Sequence, residues 1–521
     1  MNGAACLLDE CIDVWVKNTP DAEAFRFNDR ALSYAELDRQ SDQMARGLFA
    51  IGVRRGDRVG ILQRRCIEMP VAVYGVLKAG AAYVPLDPAA PAVRLAQTAA
   101  DCGLEVIISH DILHDLMAGI AAAVPSLRVA AGISKPIGGG VDHLSFDWLL
   151  NLDQGPAADQ GRQADDPCYI IFTSGSTGVP KGMVHTHASA LAYARMSAEL
   201  YGLGPSDRMA NQSPLHFDMS KFEFFAGPSR GACTILIPEA YARLPASFTQ
   251  LLQDERITTL YVVPFLLIQI LQSGVIDQRD LAALRWVIHG GEPISAGCVA
   301  ALQRALPKAR FSNSYGPAEV NQVTYYHYPA QPIAEDAPIP IGHPCAGTSL
   351  RIDNPESGKG ELLVAAPTMM RGYWRQPDLG PDLDARHFVD LPDQANQQRR
   401  YYKTGDIVWQ DAAGLYYFSG RADRQIKVRG VRVELDEVEL ALESHPLVSE
   451  AATILAENGS VLASFVVLIP GASLIEAALI DHLSKRLPPH SRPSTISVLP
   501  TFPRTTTDKI DRKALGKLPR T

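Results

Sequence analysis

One segment constrains this chain more than any other. Residues 169–187 read YIIFTSGSTGVPKGMVHTH. An apolar β-forming run enters a turn made of Thr173, Ser174, Gly175, Ser176, Thr177 and Gly178. Pro180, Lys181 and Gly182 then lead into a second β-run. Small residues let backbone N–H groups close around phosphate oxygens. The hydroxyls add donors and a candidate Mg²⁺ ligand, and Lys181 adds positive charge. A flexible Gly/Ser linker would not be framed by two β-runs. The spacing does not fit GxxxxGK[ST], so the turn is not a P-loop.

The rest of the chain supports an α/β reading. Residues 168–173 (CYIIFT), 232–237 (ACTILI) and 285–288 (RWVI) have the look of buried strands, and 188–200 and 295–306 read as helices. Strands alternating with helices through Gly-rich turns imply substantially parallel sheets in several layers, with ligands gathered beyond the strand C-termini. The pattern changes near residue 400. Residues 414–419, 425–428 and 431–435 read as short strands, and 436–444 as a helix with an acidic first turn, favourable to its macrodipole. The runs 451–456 and 461–468 flank Asn458-Gly459, a hairpin signal, and a helix over 474–487 follows. The expected fold class is α/β: a large N-terminal multi-layer domain over 1–420 and a small C-terminal α+β domain over 421–521.

Composition narrows the function. A chain of 521 residues has room for two to four domains, and 46% apolar with 20% charged residues supports a large core. The 57 acidic and 49 basic residues give a net charge of −8, which argues against nucleic-acid binding. The eight cysteines form no CxxC pair, which disfavours a zinc ribbon and suits reduced thiols in a cytosol. The N-terminal stretch carries acids and no basic leader, and the most apolar window, 260–271, contains Pro264 and Gln269 and is too short to span a bilayer. The expectation is a soluble cytoplasmic protein with neither nucleic acid nor membrane as partner. His185 and His187 form an HxH without further ligands and read as structural, and the glycines at 138–140 read as a loop.

The segment TSGSTGVPKG resembles the phosphate loop of the adenylate-forming superfamily, which comprises acyl-CoA synthetases, luciferases and the adenylation domains of nonribosomal peptide synthetases. Residues 32–37 (LSYAEL), 77–88 (LKAGAAYVPLDP), 313–319 (NSYGPAE), 402–407 (YKTGDI), 420–434 (GRADRQIKVRGVRVE) and 503–515 (PRTTTDKIDRKAL) follow in that family's order. The resemblance covers nearly the whole chain and is closest to stand-alone amino-acid adenylation enzymes that load a carrier protein. It implies a carboxylate attacking the α-phosphate of ATP to give acyl-AMP and pyrophosphate, with cationic stabilisation as the main catalytic demand. It also implies a role for each matching residue. Lys509 becomes the catalytic lysine. Glu319 and Thr177 become Mg²⁺ ligands, hard oxygens suited to that ion. Tyr315 and Asn313 attend the adenine, with Gly316 beside them and Gly291, Glu292 and Pro293 packed on its other face. Asp406 takes the ribose hydroxyls, with Arg421 at its side. Asp423 becomes the hinge about which the C-terminal domain swings, withdrawing Lys509 and presenting the QIKVRG loop for transfer to a thiol.

Residues 211–225 (NQSPLHFDMSKFEFF) bear on the substrate. In amino-acid-activating members an Asp in FDxS binds the substrate ammonium, and Asp218 matches it, although Lys221 departs from the usual apolar residue. The remaining pocket positions carry over to Met219, Phe222, Phe265, Ile288, Gly290, Ser314, Gln322 and Val323. Phe222 and Phe265 are expected to shorten the cavity, which makes a small neutral amino acid, alanine first, the expected substrate. A β-amino acid, or an acyl-CoA synthetase acting on another carboxylic acid, is the alternative. No carrier module follows Lys509, so the expected acceptor is the phosphopantetheine thiol of a separate carrier protein. From Arg424 onward there are 13 basic and 11 acidic residues, +2, against −10 for the remainder, which suits docking of an acidic carrier.

Overall fold

Parallel strands, most of them followed by a helix, build the two large sheets. The structure is a computed structural model that describes residues 6–151, 161–173, 180–242, 244–353, 358–374, 386–392, 397–456, 461–473, 476–504 and 510–518. Among the described residues, a nine-stranded sheet runs in the order His343–Pro344, Thr324–His327, Arg310–Tyr315, Trp286–Gly290, Thr259–Val262, Arg208–Asn211, Cys233–Leu236, Glu23–Phe27 and Arg30–Ser33. The five strands from Arg310–Tyr315 to Cys233–Leu236 are mutually parallel. A second sheet of eight strands includes Ala82–Pro85 beside Pro167–Thr173, which turns back antiparallel through Lys181–Thr186. These ends frame the phosphate-loop segment, whose residues 174–179 lie outside the described residues.

Apolar side chains from the two sheets and their helices merge into one core that includes Tyr34, Tyr74, Tyr169, Phe224 and Trp286. Burying one such large side chain contributes roughly 1.5–3 kcal/mol. Buried phenols keep polar partners: Tyr34 Oη donates to the Ala232 carbonyl at 2.8 Å. A separate cluster formed by Val433, Val438, Leu442, Leu462, Val466 and Leu479 draws only on the C-terminal part of the chain. There the antiparallel strands Val448–Leu455 and Leu462–Leu468 join Thr495–Leu499, packed by the helices Leu435–Glu443 and Glu476–Ser484. The turn residues Asn458 and Gly459 lie outside the described residues.

Several local readings need refinement. The N-terminal amphipathic stretch is a 3₁₀ turn, Asp9–Ile12, continued by the helix Asp13–Asn18. The acids of Leu435–Glu443 also have specific partners. Asp436 and Glu439 accept from Arg424, and Glu437 pairs with Arg94 of the N-terminal part. His185 stacks on Tyr169 at 4.8 Å, and burial pushes its imidazole down to about 4. His187 Nδ1 accepts from the Leu8 N–H at 3.0 Å. All eight cysteines are free thiols, five of them buried. Among the described residues no helix is long and apolar enough to cross a membrane.

Candidate active site

The C-terminal ends of the parallel strands open into a cavity of about 1110 Å³ between the large sheets and the C-terminal part of the chain. Parallel α/β sheets place ligands at this edge because the connecting loops diverge there. Strand Arg208–Asn211 leads to His216, Phe217, Asp218 and Met219, which line the cavity. Strand Trp286–Gly290 leads to Gly291, Glu292 and Pro293, and strand Arg310–Tyr315 delivers Asn313, Ser314, Tyr315 and Gly316. Thr173, Asp406, Arg421, Asp423 and Gln322 complete the predicted residues on the lining. Gly316 has a steric reason to be glycine, since a Cβ there would meet the Asn321 carbonyl oxygen at 1.6 Å.

Asp218, the acid expected at a substrate end, lines the cavity. Burial raises its pKa, opposed by Lys427 and Lys221. Lys221, unexpected from the sequence, does not line the cavity. It is 1% exposed, and its Nζ donates to the Leu215 carbonyl at 3.0 Å and to Ser220 Oγ at 2.9 Å, with the rings of Tyr169 and Tyr83 at 5.1 and 5.5 Å. Burial pulls its ammonium down to about 7 and pushes the neighbouring buried Glu223 carboxyl up to about 8. Phe222 packs edge-on against Tyr201 and Tyr261 in the core, and Phe265 lies under the Arg429 guanidinium at 5.4 Å. Neither phenylalanine lines the cavity, so neither shortens it, and the steric basis for alanine falls away. Ile288, Gly290 and Val323 also lie off the lining. Tyr261, which sequence reasoning missed, lines it.

The residues predicted to attend the nucleotide bond to one another. Tyr315 Oη donates to Asp406 at 2.5 Å, Asp406 pairs with Arg421, and Arg421 donates to both Asp423 oxygens at 2.7 and 2.8 Å. Asn313 donates to the Pro340 carbonyl at 2.8 Å. Glu319 lies off the lining, fully buried, and its Oε1 accepts from Tyr373 Oη and Arg432 Nη1, both at 2.8 Å. Burial alone would raise this carboxyl, but the Arg432 guanidinium and the Tyr373 hydroxyl hold it down at about 2. Its Oε2 has no hydrogen-bond partner among the described residues, so an ionised hard oxygen is left over that fits Mg²⁺. Thr177 and Lys509 lie outside the described residues, as do Ser174, Gly175, Ser176 and Gly178. Lys181 does not line the cavity; burial and the nearby Arg432 lower its pKa.

The hairpin of Gln425–Val428 and Val431–Glu434 closes the cavity from the C-terminal side. Lys427 lines it, the Gly430 N–H donates to the Glu292 carboxylate, and Arg432 reaches Glu319. Gly430 has φ +81°, and a Cβ there would meet Val263 Cγ1 at 2.3 Å. The QIKVRG loop is thus docked at the site, with Arg94–Glu437 as a second ion pair across the same junction.

Residues 12–374 match the AMP-binding enzyme family, and residues 437–509 match the AMP-binding enzyme C-terminal domain. An L-proline–[L-prolyl-carrier protein] ligase of Pseudomonas fluorescens strain Pf-5 is 32% identical over 499 residues, 94% of each chain. Gramicidin S synthase 2 of Brevibacillus brevis is 32% identical over 522 residues, 98% of this chain but only 11% of that one. In fold, the chain is similar to the Vibrio cholerae adenylation domain AlmE in complex with glycyl-adenosine-5′-phosphate, with a TM-score of 0.83 at 22% identity over 99% of this chain and 98% of that one.

Proposed function

The chain belongs to the AMP-binding enzymes, and on that premise we propose that it activates a compact amino acid as its aminoacyl-AMP and passes the acyl group to the phosphopantetheine thiol of a carrier protein. The observation that carries this reading is the Asp218 carboxylate, which faces the same cavity as the nucleotide-end residues. A carboxylate there is suited to receive a substrate ammonium. The relative that matches this chain over nearly its full length acts, by its name, on L-proline, so proline replaces alanine as the reference substrate.

In the first step a substrate carboxylate oxygen attacks the α-phosphorus of ATP, and the bond to the pyrophosphate oxygen breaks. Asp218 anchors the ammonium. Tyr315, Asn313 and the 291–293 turn hold the adenine end, and Asp406 with Arg421 holds the ribose. Mg²⁺, when bound by Glu319 with Thr177, would supply neutralisation of triphosphate charge. Lys509 adds positive charge from this chain's own residues, whereas Lys181 lies off the cavity lining. In the second step the thiol sulfur attacks the acyl carbonyl carbon, and AMP leaves. The docked QIKVRG hairpin supports a C-terminal unit that pivots near Asp423 between the steps, one constellation being complete at a time. The C-terminal +2 charge suits an acidic carrier.

Amino-acid-dependent exchange of labelled pyrophosphate into ATP tests the reading. Asp218→Ala should raise the amino-acid KM by about 100-fold, since a charge-assisted partner is lost, and leave the ATP KM near its starting value. Unchanged amino-acid kinetics would remove Asp218 from the pocket. Absence of exchange with every amino acid would reject amino-acid activation.

A further inference from the structure

A buried ammonium is tied into the segment that carries Asp218. Lys221 is 1% exposed and lies off the cavity lining. Its side chain folds back along its own loop. Nζ donates to the Leu215 carbonyl at 3.0 Å, to Ser220 Oγ at 2.9 Å and, at 3.5 Å, to the Phe217 carbonyl. Ser220 Oγ in turn donates to the Phe217 carbonyl at 2.6 Å. The backbone N–H of Lys221 donates to the Asp218 carbonyl at 3.0 Å. Both ends of the stretch 215–221 are therefore held by one side chain. Between them lie His216, Phe217, Asp218 and Met219, all on the cavity lining.

An ammonium brings three donors and no acceptor, and burying it is expensive unless those donors are met. Here two carbonyls and a hydroxyl meet them, and the rings of Tyr169 and Tyr83 stand at 5.1 and 5.5 Å. An apolar side chain of similar length would fill the space without that cost, but it would leave the loop untied. The charge matters as well. Lys221, together with Lys427 of the docked hairpin, favours the ionised form of Asp218 against its burial. We propose that Lys221 is a positioning residue for amino-acid recognition: by bonding Leu215, Phe217 and Ser220 it fixes the loop that presents the Asp218 carboxylate to the substrate ammonium. The inference rests on the assignment of Asp218 under the proposed function and adds a determinant that touches no substrate. A charge-assisted pair is strong only when its partners are held in place, so a loosened loop weakens ammonium binding and spares the nucleotide.

A double-mutant cycle decides it. Pyrophosphate exchange is measured with the amino acid that the wild-type enzyme activates best, for Lys221→Met, Asp218→Ala and the double variant. Lys221→Met keeps the length of the side chain and removes its donors. It should raise the amino-acid KM by about tenfold, with kcat and the ATP KM within about twofold of wild type. In the Asp218→Ala background the same change should alter the amino-acid KM by less than about threefold, because the carboxylate it positions is gone. A merely structural role would multiply the two effects or raise both KM values together, and either result would overturn the proposal. An unchanged amino-acid KM in a folded Lys221→Met protein would overturn it too, while a large Asp218→Ala effect would leave amino-acid recognition by Asp218 standing. If Lys221→Met does not fold, Ser220→Ala replaces it in the cycle. That variant removes one acceptor of the ammonium and should raise the amino-acid KM about threefold, again only while Asp218 is present. Unchanged kinetics in Asp218→Ala itself would reject the positioning role together with the assignment beneath it.

Discussion

Lys509→Ala is expected to lower amino-acid-dependent pyrophosphate exchange by about 10²–10³-fold, while thioester formation from supplied aminoacyl-AMP continues near the wild-type rate. The size follows from removing one preorganised cationic group from a transition state that accumulates charge at phosphorus and on the leaving pyrophosphate. The asymmetry follows from the docked hairpin. With Lys427 lining the cavity and Arg432 on Glu319, residues 425–434 take up the C-terminal side of the site. If a single lysine serves only the first half-reaction, deleting it leaves the second intact. Quench-flow measurement of acyl-AMP, paired with carrier acylation followed by intact-protein mass spectrometry, reads the two steps separately. Equal loss in both would contradict the alternation of the C-terminal unit.

The converse variant is Gly430→Ala. The backbone at this position has φ +81°, a region that costs an L-residue about 1–2 kcal/mol. The added Cβ would also lie 2.3 Å from Val263 Cγ1 and 2.9 Å from Val263 Cβ. Val263 is β-branched and stiff at χ1, so it has little room to move aside. Together these costs should reduce the docked population, and with it carrier acylation, by about 100-fold, at roughly 1.4 kcal/mol per tenfold. Acyl-AMP formation should be spared, because the lost contact is made by the hairpin. Normal carrier acylation by a folded Gly430→Ala protein would show that the arrangement seen here is not the one used for transfer.

Much of the architecture was legible because it is local. The run CYIIFT is buried by composition and becomes Pro167–Thr173. Helix 295–306 begins where Ser295 can accept from the Cys298 N–H, and the helix observed is Ala296–Ala305. The motifs NSYGPAE, YKTGDI and GRADRQIKVRG identified the strand ends that meet at the cavity, since glycines and short polar residues are needed where backbone passes close to backbone. Pocket walls were less legible. Phe222 and Phe265 were expected inside the cavity, but one is turned into the core against Tyr201 and Tyr261, and the other packs under Arg429 on the hairpin. Which face a side chain takes depends on partners far away in the chain.

The sequence by itself determined the layered α/β fold, the smaller C-terminal unit, the family, and many of the residues gathered around the cavity. These follow from periodicity, turn chemistry and ordered motifs, all readable over a few tens of residues. Only the tertiary structure decided the charge partners and the free hydrogen-bonding ends. Arg432 meets Glu319 across 113 positions, Glu437 meets Arg94 across 343, and Gln322 is held by Tyr201 across 121. Burial and Coulomb interaction depend on distance in space, and chain spacing does not encode it. Lys221 shows the same limit: in sequence it is an oddity within FDMSK, and only the fold shows it enclosed behind the pocket by carbonyls and two tyrosine rings.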